Sequence, residues 1–321
     1  MALAILSACG VVAVVWLAAI DPRATVKKTG APASFSDLAA DPIPDEKNAA
    51  AALDSALPLL EKQSVRVADL LGELGGAPLD PSQLEEARAL LAKEAAALEA
   101  VLGASRRADY ATLLTADEMA DMQRVLDSAS YARPAMRLLS LASRTRLAEG
   151  EVQAAVDTTI AALRLYNLFA REPFLIGRLL ANAMQRSAVG NAAVLAASGK
   201  LSHAQAEQLT KAVLPLADRS SMADALRSER VMALYQLSTW PLPTRVWERG
   251  PLLRRFEEAI DLAEQPLDEV VAAIQKPPAA TRGMLGRLTD PALKSFFEAE
   301  IQTATQAEAV IEKLRDADPG G

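Results

Sequence analysis

Alanine and leucine carry the hydrophobicity of this sequence: apolar types make up 51% of its residues, aromatic types only 4%. Both are strong helix formers, whereas strands draw on aromatic and β-branched residues that are sparse here. Helix boundaries are written along the chain. Asp80-Pro81 and Asp290-Pro291 pair a capping side chain with a proline at the first helical position. Thr115-Ala116-Asp117-Glu118 and Ser202-His203-Ala204-Gln205 have the form of capping boxes, and Gly75-Gly76 and Gly150 mark stops. These signals predict an all-α fold, an irregular multi-helix domain of α-hairpins or a bundle, preceded by a transmembrane helix.

The same signals order the elements. A first helix is expected over 46–74, bent at Pro58, and a second from Pro81 with Leu84, Leu90, Leu91 and Leu98 as its apolar stripe. The helix opened by Thr115 is expected to end before Pro134, and another to follow as far as Gly150. Helices over 151–170 and 173–198 form the expected centre. Trp240 to Trp247, broken by Pro241 and Pro243, reads as an extended stretch. Helix is expected again from Pro251 to Gln275, interrupted near Pro266, and a last long helix from Asp290. Sub-lobes at 46–130, 134–238 and 249–317 follow from these breaks.

Ala2 to Ile20 contains no charged residue and matches the thickness of a bilayer's hydrocarbon core. Residues 1–20 therefore read as an uncleaved single-pass anchor (a signal-anchor), which places the protein at the cell membrane. A cleaved signal peptide needs a basic leader and a small-x-small site, which Ala18-Ala19-Ile20-Asp21 does not supply. Leu6-Ser7-Ala8-Cys9 has the form of a lipobox, but eleven apolar or small residues follow Cys9 where a lipoprotein turns polar. Residues 21–45, with Pro22, Pro32, Pro42 and Pro44, read as a tether, and 46–321 as the helical domain. Arg23, Lys27 and Lys28 favour a cytoplasmic body by the positive-inside rule; the arrangement of anchor and long body favours a periplasmic one, which is the orientation expected here.

Two resemblances accompany this reading. Gly150-Glu151-Val152-Gln153-Ala154-Ala155, with Ala162 beyond, resembles the turn and second helix of a tetratricopeptide repeat, although no second copy follows. The anchor, the Pro-rich tether, Ile43-Pro44-Asp45-Glu46-Lys47-Asn48-Ala49-Ala50 and the Ala/Leu-rich body resemble uncharacterised membrane-anchored bacterial envelope proteins. That resemblance implies an architecture and no activity.

Chemistry is restricted by what the chain lacks. A net charge of −7 provides no field for a nucleic-acid backbone, so no nucleic-acid partner is expected. With one histidine, His203, and one cysteine, Cys9, the usual zinc and di-iron ligand sets cannot be assembled. Asp117 and Asp121 share a helix face at a spacing used by magnesium-dependent helical enzymes, but no facing partner motif exists, and acidic residues in a first turn complement the helix dipole. No phosphate loop or triad is present, so no cofactor, metal or catalytic residue is assigned. Arg178, Asn182, Gln185 and Arg186 fall on one arc of their helix, opposite an apolar or small-residue arc of Leu179, Leu180, Ala183, Met184, Ser187, Ala188, Gly190 and Val194, and read as a solvated face or the lining of a polar groove. Trp240 and Trp247 read as a lid on a core or a binding surface. The function expected is a membrane-anchored helical scaffold with a protein partner. The alternative is a helical lipid- or small-molecule-binding protein.

Overall fold

The computed structural model describes residues 34–38, 43–62, 65–74, 77–115, 117–121, 123, 126–127, 130–170, 175–217, 220–275 and 284–316. Among them the fold is all-α, without strands; the only β feature is an isolated bridge between Asn48 and Asp109. The anchor at 1–20 and most of the tether lie outside the described residues. No helix among the described residues is long and apolar enough to cross a membrane. Part of the expected tether is structured, because a turn of helix, α1 (Phe35–Leu38), sets the Phe35 ring 5.2 Å from Tyr235 and buries it beside Met119 and Met232.

Helices α2 (Ala49–Leu60) and α3 (Val65–Leu74) replace the single bent helix expected there. Asn48 caps α2, its Oδ1 accepting from the Ala50 amide at 3.0 Å and the Ala111 amide at 3.1 Å. The Asp80 capping box opens α4 (Pro81–Lys93) as expected, but the chain breaks at Glu94 and Leu98 belongs to α5 (Ala95–Ser105). Thr115 and Glu118 form their reciprocal bonds and open a 3₁₀ turn, Glu118–Ala120, beyond which the described residues Gln123, Leu126 and Asp127 are helical.

The centre consists of α6 (Ala132–Ala148), α7 (Val152–Phe169) and α8 (Leu175–Ala197). Between α6 and α7 the chain turns at Gly150, whose φ of 82° suits a residue without a Cβ. The Glu151 amide donates to Arg146 O at 2.8 Å and the Gly150 amide to Leu147 O at 3.1 Å, a Schellman ending that satisfies the last carbonyls of α6. Small side chains let the two helices approach closely, and Ser143 and Thr159 hydroxyls bond across the seam at 2.8 Å. The Ser202 capping box opens α9 (His203–Val213), which folds back along α7 and α8 and ends in a 3₁₀ turn, Leu214–Ala217.

The remaining helices are α10 (Ser220–Ser238), α11 (Leu242–Ala263), α12 (Leu267–Ile274) and α13 (Met284–Asp316). Prolines mislead here. Pro243 lies in the first turn of α11, where its missing N–H has no helical partner to lose, so the expected extended stretch is helical. Pro251 and Pro291 sit inside α11 and α13 rather than at their starts. Packing along each helix offsets the lost bond.

Two apolar cores result, and they cross the sub-lobe boundaries drawn from sequence. The first joins α2 and α5 to α9 with the C-terminal half of α13; the second joins the start of α8 to α10, α11, α12 and the N-terminal half of α13. Leu175 shares a core with Leu293 and Phe296, whereas Ala188 and Ala192 share the other with Ala307 and Val310. Helices α8 and α13 therefore run side by side in the same direction, through both cores. Aromatic rings are few but placed at a junction: Phe169 lies 5.3 Å from Tyr110 and 5.4 Å from Tyr131. Phe169→Ala is predicted to cost about 3–5 kcal/mol, because neighbouring helices cannot collapse into the space. Urea unfolding measures it, and a loss under about 1 kcal/mol contradicts this packing.

Candidate functional site

The polar stripe on α8 faces inward. Arg178, Asn182 and Gln185 are each no more than 3% exposed, while Arg186 lies on the surface, so the stripe is neither a solvated face nor one continuous groove. Its partner is Glu300 on α13. Arg178 Nε donates to Glu300 Oε1 at 2.7 Å and Nη2 to Oε2 at 3.1 Å, a two-pronged pair. The third guanidinium nitrogen donates to Ala170 O at 3.1 Å, and Asn182 Nδ2 to Glu300 Oε1 at 2.9 Å. Tyr166 stands beside them, its hydroxyl pushed up to about 12 by burial, with Arg178 pulling it down and Glu300 raising it further.

This group closes on itself. Its charges neutralise each other away from water, so it works as a clasp between helices. Further along the same two helices, Asn182 Oδ1, both amide atoms of Gln185 and Thr303 Oγ1 have no hydrogen-bond partner among the described residues. Sequence periodicity could not show the clasp, because its partner lies 122 residues away.

A second polar group is built on α10. Arg230, 2% exposed, pairs with Glu257 of α11, while its Nε and Nη2 have no partner among the described residues. Beside it, burial pushes the Glu229 carboxyl upward, against a weaker opposing pull from the Leu175 amide, which donates to it at 3.3 Å. Among the described residues no three His, Cys, Asp or Glu side chains gather as a metal site.

The two tryptophans separate. Trp240 is half-buried and packs on the second core; Trp247, in the second turn of α11, is 80% exposed. The described residues also form two surface grooves, and neither was legible as a site in the sequence. One, of about 960 Å³, lies between the end of α5, α7 and α9 and contains Arg106, Arg164 and Lys211. The signal for it is the recurrence of Ala154, Asp157, Ala161 and Arg164 on one face of α7. The other, of about 620 Å³, is floored by Gly190, Ala193, Val194 and Ala197 of α8 with Leu147 of α6.

Comparison with protein-family models, with curated proteins and with solved structures finds no match.

Breaking the clasp strands a buried charge, so Arg178→Met is predicted to cost about 3–5 kcal/mol in denaturant unfolding, and a loss under about 1 kcal/mol contradicts it. Glu229 adds a pH dependence. Because its folded carboxyl holds a proton more tightly than the unfolded one, stability falls as pH rises from the ordinary glutamate range through the raised value. Glu229→Gln keeps an acceptor for Leu175 and removes the titration. The variant should match wild type near the ordinary glutamate range and exceed it above the raised value, where the wild-type carboxyl has lost its proton in a poorly hydrated site. Parallel stability profiles for the two proteins would show that Glu229 is not the source.

Proposed function

We propose that this chain is a membrane-tethered helical scaffold of the bacterial envelope that engages a protein partner through Trp247. The exposure of that side chain carries the reading. A tryptophan offers a large apolar surface at little rotamer cost, and such residues dominate the energetics of protein interfaces. Trp247 is not on a free loop. Its helix is held from below by Leu252, Phe256 and Ile260 in the second core, so the ring is presented from a fixed base. The uncharged run Ala2–Ile20 and the prolines after it supply attachment and reach in this reading, with the body on the outer side.

One observation favours a second reading, lipid or small-molecule binding. The groove floored by Gly190, Ala193, Val194 and Ala197 is largely apolar, and Lys200 at its margin suits an acidic head group. Native mass spectrometry of protein purified from membranes tests it, since that reading requires a co-purifying ligand.

The primary reading is tested by Trp247→Ala. Because the side chain is exposed, folding stability should change by no more than about 0.5 kcal/mol. Crosslinked pull-downs from membranes should recover a reproducible partner with wild type and at least about tenfold less with the variant, the loss of one interface anchor. Equal recovery by both proteins would remove Trp247 as the contact, and no reproducible partner would remove the scaffold reading.

A further inference from the structure

The groove between α5, α7 and α9 reverses the charge of the molecule around it. Over the whole chain 41 acidic residues outnumber 34 basic ones, but the groove contains Arg106, Arg146, Arg164 and Lys211 against Glu151 and Asp157. Arg146 is occupied, donating to Ala154 O and Thr158 Oγ1, and Lys211 pairs with Glu207 at 2.7 Å in an exposed contact. Arg106 and Arg164 are different. Both are exposed, and neither side chain makes an ion pair or hydrogen bond to a described residue. Two cations held ready on a rigid helical frame, over an apolar floor of Leu102, Ile160 and Ala161, suit a ligand that is both acidic and apolar.

Dimensions narrow the choice. From Glu151 to Asn167 the groove follows α7 for about 24 Å at about 1.5 Å per residue. An extended strand at about 3.4 Å per residue fits about seven residues into the same length. Asn167 on α7 places an amide side chain on one wall, a group that pairs with the N–H and C=O of an extended backbone, while Gln208 on α9 accepts from Gln153 Nε2 at 3.4 Å and keeps its own amide N–H groups for a ligand carbonyl. A flat bilayer cannot enter a concave groove, and the lining has no aromatic ring on which nucleic-acid bases could stack.

We infer that this groove binds an extended acidic segment of a partner protein, about seven residues long, with Arg106 and Arg164 receiving its carboxylates. This rests on the reading of the chain as an interaction protein, but on a surface separate from Trp247.

Fluorescence polarisation with the full-length chain in neutral-lipid nanodiscs tests it. The probe is a labelled heptapeptide alternating Asp and Leu, compared with its Asn/Leu counterpart. Saturable binding that weakens with added salt is expected for the acidic peptide, at least about tenfold weaker for the neutral one. R106E/R164E should weaken the acidic peptide by at least about tenfold, and the milder R106Q/R164Q should weaken it less. D157N, which removes a like charge from the groove, should tighten binding, an effect that damaged folding cannot imitate. W247A should leave peptide binding unchanged, so loss of the membrane pull-down with peptide binding intact would remove the Trp247 contact and leave this inference standing. Absence of saturable binding, or binding indifferent to both arginine pairs, overturns it. So does a finding that short-chain phosphatidylglycerol or a thymidine oligonucleotide, and not the peptide, depends on Arg106 and Arg164.

Discussion

Arg178 and Glu300 meet where neither can reach water, and their meeting joins the central helix α8 to a helix 122 residues further on. Both helices pass through both apolar cores, so the clasp holds the seam between them. Its energetics are those of a buried pair. Desolvation of two charges is expensive, and the two-pronged geometry with the added bonds from Asn182 and to Ala170 O recovers it. An apolar pair could fill that volume with similar stability. What the polar pair adds is register, since a guanidinium fork and a carboxylate fit each other in one alignment, whereas alanine- and leucine-lined helices can slide.

That need for register follows from the composition. A body poor in aromatic rings packs through small side chains, which bring backbones close but distinguish poorly between neighbouring alignments. The α6–α7 hairpin shows the same solution on a smaller scale, with Ser143 bonding to Thr159 and to Ala155 O inside the seam. Three of the few rings, Tyr110, Tyr131 and Phe169, meet where α7 ends. With alignment settled inside, the outer faces are free to differ: an apolar groove beside α8, a cationic one beside α7, and Trp247 on α11.

Helical class was legible in the sequence because propensity and capping are local. The cap expected at Asp80 and the box expected at Ser202 both form, and Gly150 stops its helix. Prolines were read as boundaries, yet Pro251 and Pro291 are carried inside helices by tertiary packing that no local rule contains. The polar arc of α8 illustrates the deeper limit. A helical wheel assigns the polar side to solvent, but a helix packed on α6, α7 and α13 has little solvent side, and its arc is buried because Glu300 waits on another element. Conversely, part of the arc read as apolar, Gly190 and Val194, is half-exposed and forms the wall of a groove. Tryptophan content alone could not separate Trp240 from Trp247; the packing of α11 does.

If the clasp unites the two cores, they should unfold together, and hydrogen exchange resolved along the chain measures this directly. In wild type the slowest amides of α7, in the first core, and of α11, in the second, should exchange with the same opening free energy. In Arg178→Met they should separate, with α11 opening first. Separate opening free energies already in wild type, or a substitution that lowers both helices equally and leaves them together, would contradict the account.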